Sequence, residues 1–337
     1  MKFVTYRNNN LLRAGLLIDN KIADLNDAGN KFGMNIPDNM LDIIAGGDSI
    51  LDNIRELEQK IKSSGYELID INAPLAAPIP KPISCRDGYA FRQHVAAARR
   101  NRGVDMIAEF DQYPIFYFTN HNAIFGEGDI LVEEDHLHKL DFELEWAAVI
   151  GKHGKNVDSS EADNYIFGYT IMNDWSARTL QMEEMLLNLG PAKGKDFATT
   201  IGPFIITPDE LELRKIKTEF GNQYDLGMKA YHNGKQVSYG NTKDMTWTFA
   251  EIIERVSYGV EIFPGEVIGS GTVGTGCYLE LNGTWAREAK EKGEDFSPIW
   301  IKNGDTFTLE VDMLGQLTNN VVLSDRKKSI LKKKKNV

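Results

Sequence analysis

Cysteine is scarce in this sequence, and only Cys85 and Cys277 occur among its 337 residues. Their separation fits no metal-ligand or redox motif, so we expect two reduced thiols. No apolar run approaches the roughly 18 residues that a transmembrane helix needs. The first ten residues lack the apolar core of a secretory signal peptide, which predicts a cytoplasmic protein.

Positive charge is also in short supply, because 38 Lys and Arg face 49 Asp and Glu and the net charge is −11. Such a surface argues against nucleic acid or an anionic membrane as a partner. The exception is residues 326–337, a basic tail that contains Arg326 and six lysines. A charge run of this kind is usually a solvated, frayed terminus and less often an electrostatic tether.

Proline is unevenly distributed, with four of the eleven prolines between Pro74 and Pro82. So many fixed φ angles exclude a helix or a central strand and predict a semi-rigid connector. The length suggests about two domains. We therefore expect a small N-terminal module over residues 1–75 and a larger domain over residues 76–325. The elements predicted for the module are strands at Phe3–Tyr6 and Ala14–Asp19 and helices at Met40–Ile44 and Ile50–Ile61.

The larger domain is rich in short strands and poor in helices, which predicts a β-rich α+β fold around a mixed, rolled sheet. Its predicted helices are Tyr89–Arg102, a helix capped by Ser176 that runs to Leu189, and Thr248–Val256. Its predicted strands include Ile115–Asn120, Ile166–Met172, Glu266–Ser270, Tyr278–Leu281 and Thr306–Val311.

From Phe142 to Ile150 every second residue is apolar. That period of two predicts a β-strand in which Asp141, Glu143 and Glu145 share the opposite face. Carboxylates two positions apart on a strand lie about 6–7 Å apart at the backbone, so they repel each other unless water or a cation intervenes. The face is therefore either solvated, as in many antiparallel sheets, or a site for a hard cation such as Mg²⁺, Ca²⁺ or Mn²⁺.

Six ordered segments of the chain carry a combined signature. They are Arg86-Asp-Gly-Tyr-Ala-Phe-Arg-Gln-His94, Leu140-Asp-Phe-Glu-Leu-Glu145, Met172-Asn-Asp-Trp-Ser-Ala-Arg178 with Gln181, Gly194-Lys-Asp-Phe-Ala-Thr199, Gly269-Ser-Gly-Thr272 with Leu279-Glu-Leu281, and Asn303-Gly-Asp-Thr-Phe-Thr-Leu-Glu310. Together they resemble the fumarylacetoacetate hydrolase family over about residues 80 to 325, and Asn-Asp-Trp-Ser-Ala-Arg is quite specific. The resemblance implies a mixed β-roll catalytic domain and a homodimer.

The resemblance also implies a site for one divalent cation. In that family an aspartate, a Glu-x-Glu pair and a second aspartate hold the ion, and these positions fall on Asp87, Glu143, Glu145 and Asp174. Four carboxylates exceed the charge of the cation and leave room for water or substrate oxygens. We expect Mg²⁺, with Ca²⁺ or Mn²⁺ as alternatives. Taken alone, Asp87 could be a helix N-cap and Asp174 a turn residue after a strand.

A general base is implied at His94, oriented by Glu280. His94 lies seven residues after Asp87, a spacing that would place both on one face of a helix. A His–Glu pair of this kind removes a proton from water near neutral pH. Taken alone, His94 would more often be a surface or core histidine, and Glu280 an outward strand residue.

Further roles are implied for residues around this base and the cation site. Stabilisers of a developing oxyanion fall on Arg178, Gln181 and Lys195, of which the first two are i, i+3 on a predicted helix. Taken alone, each would be a solvated helix residue. Substrate contacts fall on Tyr89, Tyr117, Thr199 and Thr272.

One stretch, Thr119-Asn-His-Asn122, departs from the family pattern. Fumarylacetoacetases carry a Gly-Arg pair at this point, and that guanidinium would clamp a substrate carboxylate in a way that neither Asn120 nor His121 can copy. Residues from about Tyr89 to Asp111 offer few large apolar anchors and predict a mobile lid. Arginines on or beside that lid could replace the missing one; they are Arg92, Arg99, Arg100 and Arg102.

The implied function is divalent-metal-dependent hydrolysis of a carbon–carbon bond in a 1,3-diketo acid of the fumarylacetoacetate or acylpyruvate type. An alternative is decarboxylation, hydration or tautomerisation of a 2-oxo acid such as oxaloacetate, because one fold can host all of these reactions. A third possibility is a metal-stabilised protein that binds such acids without turnover. Each alternative expects a small diketo or oxo acid as the partner.

Overall fold

The structure is a computed structural model that describes residues 1–70, 73, 75–326 and 328–332. Its strands are β1 (Lys2–Asn8), β2 (Leu11–Ile18), β3 (Lys21–Asp24), β4 (Ile69–Asp70), β5 (Leu75–Ala76), β6 (Cys85–Gly88), β7 (Phe116–Thr119), β8 (Ile124–Phe125), β9 (Gly128–Val132), β10 (Leu140–Asp141), β11 (Leu144–Ile150), β12 (Gly154–Lys155), β13 (Ile166–Asp174), β14 (Ser176–Ala177), β15 (Thr199–Ile206), β16 (Lys215–Thr218), β17 (Gly221–Tyr224), β18 (Gly227–His232), β19 (Lys235–Asn241), β20 (Glu261–Ile262), β21 (Val267–Gly269), β22 (Thr306–Val311) and β23 (Gly315–Leu323). Its α-helices are α1 (Leu25–Lys31), α2 (Met40–Ala45), α3 (Gly47–Ser64), α4 (Arg92–Asn101), α5 (Ser159–Ala162), α6 (Arg178–Met185), α7 (Ala192–Lys195), α8 (Phe249–Ser257) and α9 (Tyr278–Lys292).

Most of these strands join one large mixed sheet. Its order is β4-β3-β2-β1-β15-β13-β11-β21-β6-β7, with β5 also on β1 and β8 also on β15. The pairs β21–β6 and β15–β8 are parallel, and the other neighbours are antiparallel. A second sheet has the order β19-β18-β22-β23-β9. The predicted β-rich α+β class is therefore confirmed.

The strand β11 is buried on both of its faces. Alternate side chains enter one core, in which Trp146 stacks on Tyr169 with ring centroids 4.9 Å apart. Two of the side chains between them, Ala147 and Val149, enter a second core on the other side of the sheet. Glu145 begins this second row, so its carboxylate lies at the edge of an apolar layer.

The N-terminal residues continue the large sheet rather than forming a sheet of their own. A turn at Asn9 and Asn10, which both have positive φ, joins β1 and β2 into a hairpin. On its other edge β1 pairs with β15, with Phe3 opposite Ile205. The strands and helices predicted for residues 1–64 are confirmed. The division at residue 75 stays a prediction, and Pro74 of the connector lies outside the described residues.

The strand predicted at Tyr278–Leu281 is wrong, because these residues form the first turn of α9. The backbone N–H groups of Tyr278 and Leu279 donate to the Asp141 carboxylate at 2.7 and 2.9 Å, and that of Glu280 donates to Cys277 Sγ at 3.5 Å. These acceptors satisfy the free donors that every helix start presents. A short apolar run does not distinguish a strand from the start of a buried helix.

Two predicted helices are shorter than expected. The helix predicted from Tyr89 begins at Arg92 and is followed by Gly103 at φ +69°. The helix predicted to be capped by Ser176 begins at Arg178. Ser176 pairs instead with Asp141 between β14 and β10, so it is not the cap.

The described part of the basic tail contacts the body of the protein at two neighbouring acids, Asp135 and Glu134, the second through Lys332 Nζ at 3.8 Å. Ser329 Oγ and the N–H groups of Ile330 and Leu331 donate to the Asp135 carboxylate at 2.7, 2.6 and 3.1 Å. Lys327 and residues 333–337 of the tail lie outside the described residues. Across the part of the chain that the structure describes, no helix has both the length and the apolar character of a membrane span.

Candidate active site

Neighbouring strands of the large sheet bring the predicted acids together at one edge. Asp87 is the third residue of β6, Glu145 the second of β11 and Asp174 the last of β13. Between β11 and β6 runs β21, whose Gly269 lies opposite Asp87. A Cβ atom on Gly269 would stand 2.5 Å from Asp87 Oδ1, so only glycine leaves the space that the aspartate occupies.

Asp87, Glu143 and Glu145 form a buried cluster, which we call the acid triad. One carboxylate oxygen of each lies within 4.8 Å of the others. Glu143 and Glu145 are 6% and 0% exposed, so the alternative of a solvated strand face is wrong. Thr272 Oγ1 donates to Glu145 Oε1 at 3.4 Å, and Glu145 Oε2 is buried with no hydrogen-bond partner among the described residues.

Asp174, the fourth predicted ligand, lies beside the acid triad and is not part of it. Its Oδ2 accepts a hydrogen bond from the Tyr117 hydroxyl and contacts Lys195 Nζ at 3.1 Å. The same ammonium contacts Glu143 Oε2, so Lys195 bridges the two acids. Thr199 Oγ1 lies 3.5 Å from Asp174 Oδ1. Three predicted ligands thus converge, and metal binding by Asp174 stays a prediction.

Arg178 ties the acid triad to the surrounding helices. Its Nη2 contacts Asp141 Oδ2 at 2.7 Å and Glu143 Oε1 at 2.9 Å, and its Nη1 donates to Gln181 Oε1 at 2.9 Å. The strand breaks between β10 and β11, and Asp141 therefore does not share a face with the glutamates as predicted. It accepts hydrogen bonds from Arg178 and from the start of α9 instead.

The protein environment gives the acids of the triad unequal proton affinities. Burial, together with nearby Asp174, raises the pKa of Asp87 to about 7. Burial and the adjacent Asp87 also raise the pKa of Glu145 well above its usual range. Burial acts in the same direction on Glu143, but Lys195 and Arg178 outweigh it and hold the pKa of Glu143 at about 2. Asp87 and Glu145 therefore ionise less readily than Glu143, and a bound cation would favour their ionised forms.

These residues fit a hard divalent cation. The donors are oxygen atoms only, they are buried, and one of them, Glu145 Oε2, is unpartnered among the described residues. The acid triad together with Asp141 and Asp174 provides five carboxylates, whereas the contacting cations are only two, Arg178 and Lys195. A divalent cation would offset the excess negative charge and satisfy the free oxygen.

His94 and Glu280 pair across two helices, α4 and α9. His94 Nδ1 lies 2.6 Å from Glu280 Oε2, and Glu280 Oε1 accepts the Thr275 N–H at 3.0 Å. The predicted pairing is therefore present. The predicted reason for the closeness of His94 to Asp87, a shared helix face, is wrong because Asp87 belongs to β6.

A cavity of about 600 Å³ connects these groups. The predicted site residues that line it are Asp87, Tyr89, His94, Tyr117, Glu143, Arg178, Gln181, Lys195, Thr272 and Glu280. Glu145, Asp174 and Thr199 lie beside or beneath these residues and do not line it. Lining residues that the sequence did not indicate include Ala98, Ile115, Phe116, Met182, Met185 and Pro191. Several of them flank the signature segments, and that adjacency is the one signal that could have found them.

The family model described as Fumarylacetoacetate (FAA) hydrolase C-terminal matches residues 84–322. The chain belongs to the fumarylacetoacetate hydrolase family. The match spans all thirteen predicted site residues of the family signature, from Asp87 to Glu280.

Members of the fumarylacetoacetate hydrolase family that resemble this chain bear the names of different enzymes. Oxaloacetate tautomerase YisK of Bacillus subtilis (strain 168) is 30% identical over 339 residues, which are 95% of this chain and 100% of that protein. Fumarylacetoacetase of Oryza sativa subsp. japonica is 31% identical over 207 residues, 53% of this chain and 48% of that protein.

Solved structures of the fumarylacetoacetate hydrolase family share the fold. Maleylpyruvate hydrolase from Sphingobium sp. SYK-6, solved in complex with manganese(II) and pyruvate, has a TM-score of 0.65 at 20% identity over 96% of this chain and all of that one. The fumarylacetoacetate hydrolase from Exiguobacterium antarcticum has a TM-score of 0.68 at 22% identity, over 96% and 100%. The predicted family and fold are confirmed.

Proposed function

We propose that this protein catalyses the divalent-metal-dependent hydrolysis of a carbon–carbon bond in a 1,3-diketo acid of the acylpyruvate or fumarylacetoacetate class. The observation that carries the proposal is the buried His94–Glu280 pair on the wall of the cavity that the acid triad also reaches. Hydrolysis needs a base for water and a stabiliser for an enolate, and this cavity offers residues for both roles.

The acid triad, with Asp174 beside it, would hold the divalent cation. A cation bound there would polarise the diketone oxygens and balance the charge of the departing enolate. Mg²⁺, Mn²⁺ and Ca²⁺ all suit oxygen ligands. Lys195 and Arg178 keep Glu143 ionised, so at least one ligand needs no deprotonation before the cation binds.

His94 acts as the general base in this proposal. Glu280 Oε2 lies 2.6 Å from His94 Nδ1. As a carboxylate it would accept a hydrogen bond from Nδ1–H, which leaves Nε2 as the basic nitrogen. Nε2 takes a proton from water while the water oxygen forms a bond to the outer carbonyl carbon, the oxo carbon farther from the substrate carboxylate. The bond between that carbon and the central carbon, which lies between the two oxo groups, then breaks and releases a carboxylic acid and an enolate. The imidazolium returns the proton to the enolate carbon, so no proton is gained or lost by the protein.

The charge that develops on the attacked carbonyl oxygen needs donors. Arg178 Nη1 donates a hydrogen bond to the side-chain oxygen of Gln181. The amide nitrogen of Gln181 therefore remains as a donor on the cavity wall. Arg178 and Lys195 line the same cavity and add positive potential, although both are also engaged by carboxylates. We infer that Gln181 donates the hydrogen bond and that the two cations act through space.

The rest of the cavity favours a substrate with an apolar substituent. Its outer wall includes Ile115, Met182, Met185 and Leu279. An acyl group on the outer carbonyl of an acylpyruvate suits such a wall, whereas oxaloacetate has only four carbons and carries a second carboxylate at that end.

Tautomerisation of a 2-oxo acid of the oxaloacetate type is the second candidate. It is favoured by the end-to-end likeness to oxaloacetate tautomerase YisK, because 95% of this chain and 100% of that protein are covered. In this reaction His94 would move a proton between carbon and oxygen of the substrate, and no water would be consumed.

Product analysis on one preparation separates the two candidates. The protein is stripped of metal with a chelator, restored with Mg²⁺ or Mn²⁺, and supplied with acetylpyruvate or oxaloacetate. We expect acetylpyruvate to yield acetate and pyruvate only after metal is restored. The protein is also tested with a series of diketo acids that differ in the acyl group. If it interconverts the keto and enol forms of oxaloacetate and cleaves none of these diketo acids, the hydrolase proposal is overturned and the tautomerase is supported.

A further inference from the structure

One buried carboxylate joins the two halves of the candidate active site. Asp141 is 0% exposed and ends β10, two residues before Glu143, and its carboxylate contacts the first turn of α9, which carries Glu280. Asp141 belongs neither to the acid triad nor to the His94–Glu280 pair, and it does not line the cavity. A substrate in the cavity therefore does not touch it, so any effect of Asp141 on the reaction must act through other residues.

Both oxygens of Asp141 accept hydrogen bonds from the start of α9. The N–H of Tyr278 donates to Oδ1 at 2.7 Å, and the N–H of Leu279 donates to Oδ2 at 2.9 Å. These are the first two residues of the helix, and their N–H groups have no acceptor within it. The carboxylate also interacts favourably with the positive end of the helix dipole. Asp141 thus fixes the turn in which Glu280 is the third residue.

On its other side, Asp141 holds the guanidinium of Arg178. The Nε of Arg178 donates to Asp141 Oδ2 at 2.8 Å, and its Nη2 lies 2.7 Å from the same oxygen. That Nη2 also contacts Glu143 Oε1 at 2.9 Å. Arg178 and Glu143 are both buried, so the guanidinium is shared between Asp141 and a member of the acid triad. The position of Asp141 therefore determines where Arg178 meets Glu143.

A neutral amide cannot make all of these contacts. Oδ1 of Asp141 accepts the N–H groups of Phe142 and Tyr278, and Oδ2 accepts the N–H of Leu279 and the guanidinium of Arg178. Asparagine offers one acceptor oxygen and one NH₂ group, so its NH₂ group faces donors in either orientation. Asp141→Asn must therefore release either the start of α9 or Arg178.

We propose that Asp141 is the positioning residue that holds the general base and the cation site in one arrangement. Through α9 it fixes Glu280, whose Oε2 lies 2.6 Å from His94 Nδ1, and through Arg178 it fixes Glu143. Catalytic groups need to be held within about 0.5 Å of their productive positions, so a small shift at this carboxylate disturbs both. The assignment rests on the proposed diketo-acid hydrolysis, in which His94 is the base.

The first measurement is the rate of acetylpyruvate cleavage by the full-length protein at saturating Mg²⁺. Asp141→Asn should lower kcat by about 10²-fold, the usual effect of a misplacement of about 1 Å, and change KM by less than about 3-fold. In a Glu280→Gln background the same change should lower kcat by less than about 10-fold, because the contribution through α9 is already lost. Asp141→Glu keeps both acceptor oxygens and should lower kcat less. It provides the same test of additivity if Asp141→Asn does not fold.

The His94 imidazole provides a second measurement that needs neither turnover nor metal. NMR of the metal-free protein with ¹⁵N-labelled histidine reports on the contact of His94 Nδ1 with Glu280. Asp141→Asn should change the ¹⁵N shifts of His94. The matched control is His232→Gln, because His232 Nδ1 lies 2.7 Å from the Tyr278 hydroxyl and holds a side chain of the same turn but none of its N–H groups. It should leave the His94 shifts unchanged and kcat within about 3-fold of the wild type.

Three results would overturn the assignment. They are full additivity of Asp141→Asn and Glu280→Gln in kcat, unchanged His94 shifts in Asp141→Asn, and equal effects of Asp141→Asn and His232→Gln on kcat once their losses of stability are matched. Failure of the proposed function shows differently: Asp141→Asn would change the His94 shifts in a protein whose wild type releases no acetate and pyruvate.

Discussion

For single residues, burial and contacts with cations determine which acids of this site ionise readily. Glu143 is ionised because Lys195 and Arg178 contact it, whereas Asp87 and Glu145 are placed where a charge is costly without a cation. The sequence could predict the identity of these acids from their motifs. It could not predict that Lys195 bridges Glu143 and Asp174, because that contact joins residues from three separate parts of the chain.

Glu145→Gln should reduce affinity for Mn²⁺ by more than about 100-fold, because one coordinating charge is lost from the buried site. The metal-free variant should unfold at the same temperature as the wild type or a higher one at pH 8. The reason is that the pKa of Glu145 is raised in the folded protein, so its ionisation opposes folding as the pH rises. Titration calorimetry and thermal unfolding measure the two quantities.

The control for this change is Glu127→Gln, since Glu127 is an exposed acid that does not line the cavity. It should leave Mn²⁺ affinity unchanged. Equal metal affinity of the wild type and Glu145→Gln would exclude Glu145 as a ligand.

His94→Ala should lower kcat for diketo-acid cleavage by about 10²- to 10⁴-fold, the usual contribution of a positioned general base. Glu280→Gln should act in the same direction but less severely, because it removes only orientation and charge support. The double variant should be markedly less than additive, since the 2.6 Å contact makes the two residues one unit. Metal affinity should change by less than about 3-fold, because neither residue belongs to the acid triad. Cleavage that survives His94→Ala would refute this role.

Individual elements show where local sequence patterns stop being informative. The strands β1, β2, β13 and β22 and the helix α8 follow from local periodicity. Thr248, predicted as the first residue of α8, is its N-cap instead. The start of α9 does not, because its capping acid, Asp141, is 137 residues distant from Tyr278 in the chain. Asp141 likewise does not share a face with Glu143 and Glu145. The strand breaks after it, and its carboxylate accepts hydrogen bonds from Arg178 and from the start of α9, which are contacts between distant parts of the chain.

One buried acid, Asp24 of β3, contacts side chains of both β1 and β2. Asp24 caps α1 through the Asp27 N–H and accepts hydrogen bonds from the Tyr6 hydroxyl at 2.6 Å and from Arg13 Nε at 2.8 Å. Burial raises the pKa of Asp24, but Arg13 and these hydrogen bonds outweigh it and lower the pKa overall. The stabilisation is therefore present above the unfolded-state pKa of about 3.9 and is lost as the pH falls through the folded value.

Asp24→Asn should lower the free energy of unfolding at pH 7 by about 2–3 kcal/mol, because a buried hydrogen-bonded charge is removed from its partners. The difference from the wild type should persist to about pH 5 and shrink below about pH 4. Urea unfolding at several pH values tests both statements. The matched control is Asp27→Asn, since Asp27 also contacts Arg13 but is 63% exposed, and should cost less than about 1 kcal/mol. A cost of Asp24→Asn that does not vary with pH would contradict a lowered pKa of Asp24 in the folded protein.

The predicted lid corresponds mainly to α4 and the residues that follow it. Apart from His94, its buried residues are small, Val95 and Ala97, and its docking relies on polar contacts to α9. We expect α4 amides to exchange hydrogen faster than those of β11 in the free protein and to slow when Mg²⁺ and acetylpyruvate are bound. Protection of α4 equal to that of β11 with and without ligand would show that this segment is not a lid.

At the scale of the whole molecule, the sheet places its functional acids where strands from distant parts of the chain end side by side. Family motifs are local, so the sequence could indicate both the family and its fold. The pairing of Phe3 with Ile205 is not local, and the continuity of the N-terminal strands with this sheet could not be foreseen. The homodimer and the cytoplasmic location stay predictions.

Diffraction from Mn²⁺-soaked crystals, recorded at a wavelength where manganese scatters anomalously, would show whether the acid triad holds the cation. We expect one strong anomalous peak at the floor of the cavity. Oxygens of Asp87, Glu143 and Glu145 should lie about 2.0–2.6 Å from it, and Asp174 should supply a fourth ligand. A peak elsewhere, or an empty acid triad with Glu143 and Glu145 turned to solvent at saturating Mn²⁺, would show that the acid triad is not the cation site.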